Sequence, residues 1–181
     1  MGDIDRNIIL RAAQSDLDAF EVIYKEYFGL VSNTAFRIVS RREDAEEVTQ
    51  DVFMNIYHNL KNFRFESSLK TWIYRITMNT AINHAKKSAK HRDTVEYTDA
   101  LDASVDMEPL KEEINESTLN NLLETITADQ KACIVLRSVE GLSYQQIAET
   151  LKIPVNTVRS RIKRARETLL AKRKEVMKNE L

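Results

Sequence analysis

The chain has 181 residues, of which 43% are hydrophobic, and it contains only three glycines and two prolines. This composition excludes wholesale disorder, and the sequence shows neither an apolar run of about 18 residues nor the basic and apolar blocks of a signal peptide. We therefore expect a cytoplasmic protein that does not insert into membranes, and we expect it to be all-α because turn-forming residues are scarce.

The formal net charge of −1 conceals three strongly charged segments: residues 61–92 carry +7, residues 93–129 carry −10 and residues 155–181 carry +6. Two basic segments held apart by an acidic one are typical of a protein with two nucleic-acid contacts. Solvated helix faces that happen to cluster would give the same pattern, so charge alone leaves both interpretations open.

Apolar residues recur at helical spacing between residues 20 and 60 and predict two helices. The first stripe comprises Phe20, Ile23, Tyr24, Tyr27, Val31, Ala35 and Ile38, and the second comprises Val48, Val52, Ile56 and Leu60. The second helix begins with the acidic segment 43–53, as the helix dipole favours. That acidic face could be solvated or could dock another protein, and its residues alone do not decide between the two.

A further helix is predicted from about Leu69 to Lys90. One strip along it carries an aromatic ring, two cations and two amides, contributed by Trp72, Arg75, Asn79, Asn83 and Lys86. Phe63, Arg64 and Phe65 precede the helix. Unstacked bases present π-faces and phosphates together, so this surface suits single-stranded nucleic acid, although a lone tryptophan is more often part of a core.

From about residue 90 to residue 113 the helical pattern fails and acidic, serine and threonine residues take over, which is typical of a linker. We therefore predict two small helical domains, residues 1–92 and 114–181, joined by an acidic linker at 93–113. Cys133 lies in an apolar run of the second domain, so we expect a buried core thiol rather than a nucleophile.

The most specific pattern is a predicted helix-turn-helix within residues 140–162. Ser143 followed by Gln146 forms a capping box that starts the first helix of the motif. Pro154 suits the first turn of the second helix, where a missing N–H costs nothing. Lys152 occupies a turn position at which glycine and a left-handed backbone are common, so we predict a slightly strained or altered turn there.

The second helix of this motif has one buried stripe and an opposite polar, basic face. The buried stripe comprises Val155, Val158, Ile162, Ala165 and Leu169. N-terminal residues of a recognition helix usually meet base edges, which makes the base-reading candidates Asn156, Thr157, Arg159, Ser160 and Lys163. Phosphate contacts are expected from Arg161, Arg164 and Arg166.

Taken together, these motifs resemble the extracytoplasmic-function (ECF) subfamily of the sigma-70 family over nearly the whole chain. Residues 44–53 resemble region 2.2, which docks on polymerase, and the docking residues this implies are Asp44, Glu47, Gln50, Asp51 and Phe53. Phe63 and residues 67–82 resemble regions 2.3 and 2.4, which open and read the −10 promoter element. The residues implied there are Phe63, Lys70, Trp72, Arg75, Asn79, Asn83 and Lys86. Residues 140–166 resemble region 4.2, which reads the −35 element.

The resemblance implies a bacterial RNA polymerase sigma factor, a non-enzymatic protein without a metal or cofactor. Its implied partners are core RNA polymerase (through the β′ clamp helices and the β flap), promoter DNA and an anti-sigma factor. Three residues depart from those common in the family: Asn83 stands in place of Asp, Lys152 in place of Gly and Thr127 in place of Pro. The main alternative is a helix-turn-helix activator or repressor with a sensory N-terminal domain, which would not need the strip around Trp72. A second alternative is a helical scaffold or anti-sigma-like adaptor, which would not need the basic face around Ser160.

Overall fold

The structure, a computed structural model, describes residues 4–92, 123 and 125–179. Within these residues it contains seven α-helices and no β-strand, so the predicted all-α fold is confirmed. The helices are α1 (Arg6–Ala13), α2 (Leu17–Val39), α3 (Arg42–Asn59), α4 (Leu69–Arg92), α5 (Ala128–Ser138), α6 (Tyr144–Leu151) and α7 (Val155–Asn179), and a short 3₁₀ turn occupies Leu60–Asn62. The linker predicted at 93–113 lies outside the described residues.

In the N-terminal half, α2 packs against α1, α3 and α4. The predicted apolar stripes form its core, and the four residues of the second stripe are at most 1% exposed. Tyr24 belongs to the first stripe by its spacing but is not buried, because it lies at an open groove between α2 and α3. Its ring contacts Phe53 at a centroid distance of 4.5 Å and is 39% exposed.

Two helices of the C-terminal half begin with capping boxes. The predicted box at α6 is confirmed: the Ser143 N–H donates to Gln146 Oε1 at 2.8 Å, and the Gln146 N–H donates to Ser143 Oγ at 3.2 Å. Thr127 and Gln130 form the same arrangement at α5. Thr127, one of the three departures from the family, therefore caps α5 with its hydroxyl, a contribution of about 1 kcal/mol.

The turn between α6 and α7 has the predicted strain. Lys152 adopts a left-handed backbone with φ 53° and ψ 47°. The Ile153 N–H donates to the Ala148 carbonyl at 3.1 Å, which ends α6. Helix α7 begins at Val155, so Pro154 is the residue before the helix and not part of its first turn. The Pro154 carbonyl accepts a hydrogen bond from Thr157 N–H at 2.9 Å.

One hydrophobic core joins the two halves of the chain, because α5 packs on α2 and α4, and α6 packs on α4. Cys133 of α5 is fully buried in this core. This burial confirms the predicted core thiol, and it raises the pKa of the Cys133 thiol to about 11. No helix in the described part of the chain combines the length and the apolar character needed to cross a bilayer.

Candidate nucleic-acid interface

Helix α7 buries one face and exposes the opposite one, as its sequence predicts. Val158, Ile162 and Ala165 are at most 1% exposed. The exposed candidates for DNA contact are Asn156, Arg159, Ser160, Lys163, Arg164 and Arg166. Thr157 is half-buried beside them. A polar face of this kind on the second helix of a helix-turn-helix has the shape and chemistry to enter the major groove.

Weak local contacts hold the N-terminal end of this face. Arg159 Nη1 donates to Asn156 Oδ1 at 3.3 Å, and Ser160 Oγ donates to the Thr157 carbonyl at 3.0 Å. Lys163 lies 3.9 Å from Glu167, a separation at which an exposed ion pair contributes little. These groups can therefore exchange their present partners for base edges or phosphates at small cost.

Arg161 differs from the other candidates on α7. Its guanidinium lies 3.1 Å from Asp129 Oδ1, and the side chain is 27% exposed. The cause is its position at the edge of the buried stripe, where it faces the start of α5. Arg161 was expected to hold a phosphate, whereas in this structure its charge is balanced within the chain.

Three of the −10 candidates meet at one cavity of about 610 Å³ between the 62–67 loop and α4. Phe63, Trp72 and Arg75 line it, and the Phe63 and Trp72 ring centroids are 5.3 Å apart. Arg75 Nε is buried, and no described residue accepts a hydrogen bond from it. An aromatic wall beside a guanidinium provides stacking and hydrogen-bond donors for one planar polar group, which is what a flipped base needs, although the Nε atom itself is covered by neighbouring residues.

The loop that carries Phe63 is strained and braced from α1. Phe65 has φ 57°, which is uncommon for a residue with a Cβ. The Arg6 guanidinium lies 4.4 Å from the Phe65 ring centroid, and the Phe65 and Phe63 rings are 4.8 Å apart. Arg6 could not be predicted as part of the site, because no local sequence pattern links α1 to this loop.

The remaining −10 candidates do not line the cavity. Asn79 and Asn83 are exposed farther along α4. Lys86, at the far end of the strip, is paired with Asp129, its Nζ lying 2.7 Å from Asp129 Oδ2. Lys70 lies off the strip, with its ammonium 5.7 Å from the Tyr74 ring centroid. The predicted strip is therefore one aromatic cavity followed by a polar ridge.

The acidic face of α3 presents most of the predicted docking residues. Glu47, Gln50 and Asp51 are exposed, and Asp44 is half-buried. Glu47 Oε2 lies 3.3 Å from His84 Nε2 of α4. Phe53 is only 6% exposed, so its ring forms the floor of a surface groove and is not an exposed edge.

The walls of that groove are two aromatic residues that the sequence did not indicate as part of the docking surface. Tyr24 and Phe28 of α2 flank Phe53, are 39% and 43% exposed, and line a cavity of about 640 Å³ that Gln50 also borders. The apolar stripe on α2 predicted Tyr24 as core, and Phe28 falls beside that stripe. Exposed aromatic rings beside an acidic helix are typical of a protein-binding surface.

Family models and known relatives match the chain along most of its length. The model of Sigma-70 region 2 matches residues 23–91, and the model of Sigma-70, region 4 matches residues 117–169. The chain is 33% identical to the RNA polymerase sigma-H factor of Pseudomonas aeruginosa over 91% of each protein. It is 35% identical to the ECF RNA polymerase sigma-E factor of Haemophilus influenzae, over 91% of this chain and 93% of that protein.

Two solved structures share the fold. CnrH, solved in complex with the cytosolic domain of CnrY, matches with a TM-score of 0.64 and 22% identity over 92% of this chain and 95% of CnrH. The sigma factor RpoE, solved in complex with the anti-sigma factor NepR from Bartonella quintana, matches with a TM-score of 0.66 and 24% identity, over 83% of this chain and 93% of RpoE. Because both sigma-70 regions are present in order and its relatives align along most of its length, the chain belongs to the sigma-70 family and is an ECF RNA polymerase sigma factor.

Proposed function

We propose that this sigma factor uses α7 to read the −35 element, uses the cavity at α4 to capture unpaired bases of the −10 element, and docks on polymerase through α3. Core polymerase performs the chemistry in this proposal, and the chain contributes recognition and binding energy without catalysing a reaction itself. Its place of action is the cytoplasm, together with polymerase and the chromosome.

The observation that carries the proposal is the presence of two differently shaped surfaces for nucleic acid on one chain. The exposed face of α7 is convex and polar, which suits the groove of paired DNA. The cavity of Phe63, Trp72 and Arg75 is concave and aromatic, which suits a base that has left the duplex. A protein that only binds an operator needs the first surface and has no use for the second.

For the −35 element we assign base contacts to Asn156, Arg159, Ser160 and Lys163, and phosphate contacts to Arg164 and Arg166. Thr157 and Arg161 are assigned supporting roles at the edge of this surface, because both are partly covered. Arg161 would have to leave Asp129 before it could reach a phosphate.

For the −10 element we assign stacking to Trp72 and Phe63, and a hydrogen bond from Arg75 to the captured base. Asn79 and Asn83 are placed to contact the strand that leaves the cavity along the polar ridge. Lys86 is assigned to a phosphate once its pairing with Asp129 is broken. Asn83, where the family often has Asp, is a neutral side chain that can both donate and accept, so this position is open to a different base preference.

For docking on the β′ clamp helices we assign the exposed residues Glu47, Gln50 and Asp51, and we add the groove formed by Tyr24 and Phe28 over Phe53. Charge at the rim and aromatic rings in the centre are the usual arrangement of a stable interface. Asp44 lies at the edge of this surface. The C-terminal domain is assigned to the β flap from the resemblance alone.

An anti-sigma factor is the second protein partner that we propose. The fold is shared with CnrH and with RpoE, each of which was solved with a bound protein, and in the second case that protein is an anti-sigma factor. The aromatic groove between α2 and α3 is a surface that such a partner could cover, and covering it would also block polymerase.

The test is transcription in a reconstituted system. Core polymerase is incubated with a genomic fragment library, with and without the purified chain, and the transcripts are sequenced. We expect new transcripts whose start sites share a −35 and a −10 element. If the chain instead protects operator sites without polymerase and starts no transcript, the helix-turn-helix repressor or activator is the correct interpretation.

A further inference from the structure

Arg6, the first residue of α1, stands where helix formation gives no reason for a cation. The helix dipole favours negative charge at this end, and Asp5 already caps α1 by accepting a hydrogen bond from the Asn7 N–H at 2.7 Å. Arg6 is exposed, and among the described residues no carboxylate forms an ion pair with it. Its guanidinium instead lies over the Phe65 ring, 4.4 Å from the centroid. The contact with Phe65 therefore accounts for this arginine better than the helix does.

The loop at Phe65 has few backbone contacts to maintain its conformation. Phe65 has a φ of 57°, a left-handed backbone that is uncommon for a bulky residue. Within the described residues, neither its N–H nor its carbonyl takes part in a hydrogen bond. The backbone hydrogen bonds on either side of it are made by the Phe63 N–H and by the Ser68 carbonyl. Side-chain packing must therefore maintain the strained backbone between those two residues.

A row of contacts leads from Arg6 to the base cavity. The Phe65 and Phe63 ring centroids are 4.8 Å apart, and those of Phe63 and Trp72 are 5.3 Å apart. Phe63 and Trp72 line the cavity, whereas Arg6 and Phe65 lie behind them. A displacement of the Phe65 ring would remove one of the surfaces against which Phe63 packs. Arg6 can therefore influence the cavity without touching what enters it.

Helix α1 provides a fixed position for this contact. Its Ile9 and Ala12 are buried at 6% and 2% exposure, and the helix also packs on the 3₁₀ turn that leads into the loop. Arg6 lies outside both matched sigma-70 regions, residues 23–91 and 117–169. The matched regions therefore assign no role to this residue.

We propose that Arg6 is a positioning residue of the −10 site. Its guanidinium holds the Phe65 ring, the strained loop then keeps Phe63 facing Trp72, and the base cavity has its binding shape before DNA arrives. A site that is ordered in advance loses less conformational freedom when it captures a base. The proposal rests on the proposed function for what enters the cavity, whereas the bracing of the loop does not depend on it.

The first experiment measures the brace in the free chain through Trp72, the single tryptophan. Arg6→Ala removes the cation, and we expect Trp72 to become more accessible to acrylamide, a neutral quencher whose access does not depend on charge. Arg6→Lys keeps a cation that can lie over the ring and should restore most of the protection. Lys25→Ala removes an exposed positive charge from α2, away from the loop, and should leave quenching unchanged.

The second experiment places the same variants in the holoenzyme with core polymerase and measures open-complex formation by permanganate footprinting. In Arg6→Ala the equilibrium constant for opening should fall about two- to fivefold, the size expected from one exposed cation–π contact. Arg6→Lys should lie closer to wild type. The salt dependence of promoter binding should be unchanged, because Arg6 contacts no phosphate in this proposal. A log–log slope that becomes shallower by about 0.7 in Arg6→Ala would show a lost phosphate contact and would overturn it.

A double-mutant cycle with Phe65→Leu tests whether the two side chains act together. Phe65→Leu removes the ring and keeps an apolar side chain, so Arg6→Ala should have no further effect on quenching or opening in that background. Equal losses in both backgrounds would refute the proposal. Unchanged quenching, or unchanged opening, in an Arg6→Ala variant with a native circular dichroism spectrum would also refute it. If the wild-type holoenzyme opened no promoter, the proposed function would fail, and quenching in the free variants would still decide whether Arg6 positions the loop.

Discussion

The two candidate DNA surfaces of this sigma factor are built in different ways. The −35 surface is one stretch of α7, and six of its eight candidate residues are exposed on a single helix face. The −10 surface combines a strained loop, part of α4 and, through Glu149, a residue of the other domain. The first surface is open in the free chain, whereas the second is partly covered by acidic residues.

This difference follows from what each surface has to bind. The major groove admits an α-helix, so one helix with suitable side chains is enough to read paired bases. A single base must be stacked and enclosed, and only tertiary packing produces a concave aromatic site. Substitutions at the −10 surface should therefore act on DNA opening, and substitutions at the −35 surface should act on the choice of promoter.

The largest effect is expected at Trp72. Trp72→Ala removes a stacking platform worth about 1–3 kcal/mol per base, so formation of the open complex should fall by ten- to a hundredfold. Permanganate footprinting of unpaired thymines measures this loss. Trp72→Phe keeps a ring and should retain most of the activity. A template with a preformed bubble should restore transcription by Trp72→Ala; equal loss on that template would mean that the residue supports folding and not base capture.

A smaller effect, confined to promoter choice, is expected at Arg159. Arg159→Ala should weaken binding to the −35 element by about 1–2 kcal/mol, because it removes a side chain placed to donate to a base edge. Footprinting of the holoenzyme on promoters with altered −35 sequences provides the measurement. Arg173→Ala, an exposed position farther along α7, is the control. If both variants lose the same amount on every sequence, Arg159 contacts phosphate and reads no base.

A similar or smaller effect is expected at Asp51, and it should be confined to the affinity for core polymerase. Asp51→Arg reverses a charge on the exposed face of α3, and we expect a loss of affinity for core polymerase of about tenfold. Competition against a labelled sigma factor for core polymerase measures it. Asp18→Arg makes the same change in net charge at the exposed start of α2, outside the assigned surfaces, and should leave polymerase affinity unchanged. DNA binding by the free chain should be the same in both variants, and a drop in Asp51→Arg would contradict the separation of surfaces.

The sequence predicted what depends on local patterns. Periodicity located α2, α3, α4 and the buried stripe of α7, although it did not predict α1. The capping box at Ser143 and the strained turn at Lys152 were both correct, and the apolar run around Cys133 correctly indicated a core thiol. Each of these features depends on residues within a few positions of one another. For the same reason the sequence alone places most of the −35 candidates on one face.

Features that depend on tertiary contacts were not predictable in this way. Tyr24 was placed in the core because its spacing fits the stripe, yet the groove beside it is determined by where α3 lies. Arg161 was expected to contact a phosphate and Lys86 to belong to the −10 surface, and both are paired with Asp129, a partner distant from Lys86 in the sequence. Charge patterns identify cations but not the carboxylates that the fold brings to them.

The smallest effect is expected at Lys152. It tests whether the −35 surface depends on α7 alone and not on the turn that precedes it. A left-handed backbone costs a residue with a Cβ about 1–2 kcal/mol, and glycine loses about 0.5–1 kcal/mol more entropy on folding. Lys152→Gly should therefore raise the free energy of unfolding by about 0.5–1 kcal/mol, seen as a midpoint shift in urea. Lys152→Ala keeps the strained backbone and should give no stabilisation, which separates strain from loss of the side chain. Because α7 is held by its own buried stripe, recognition of the −35 element should be unchanged in Lys152→Gly; an altered promoter preference would show that the turn positions the recognition helix.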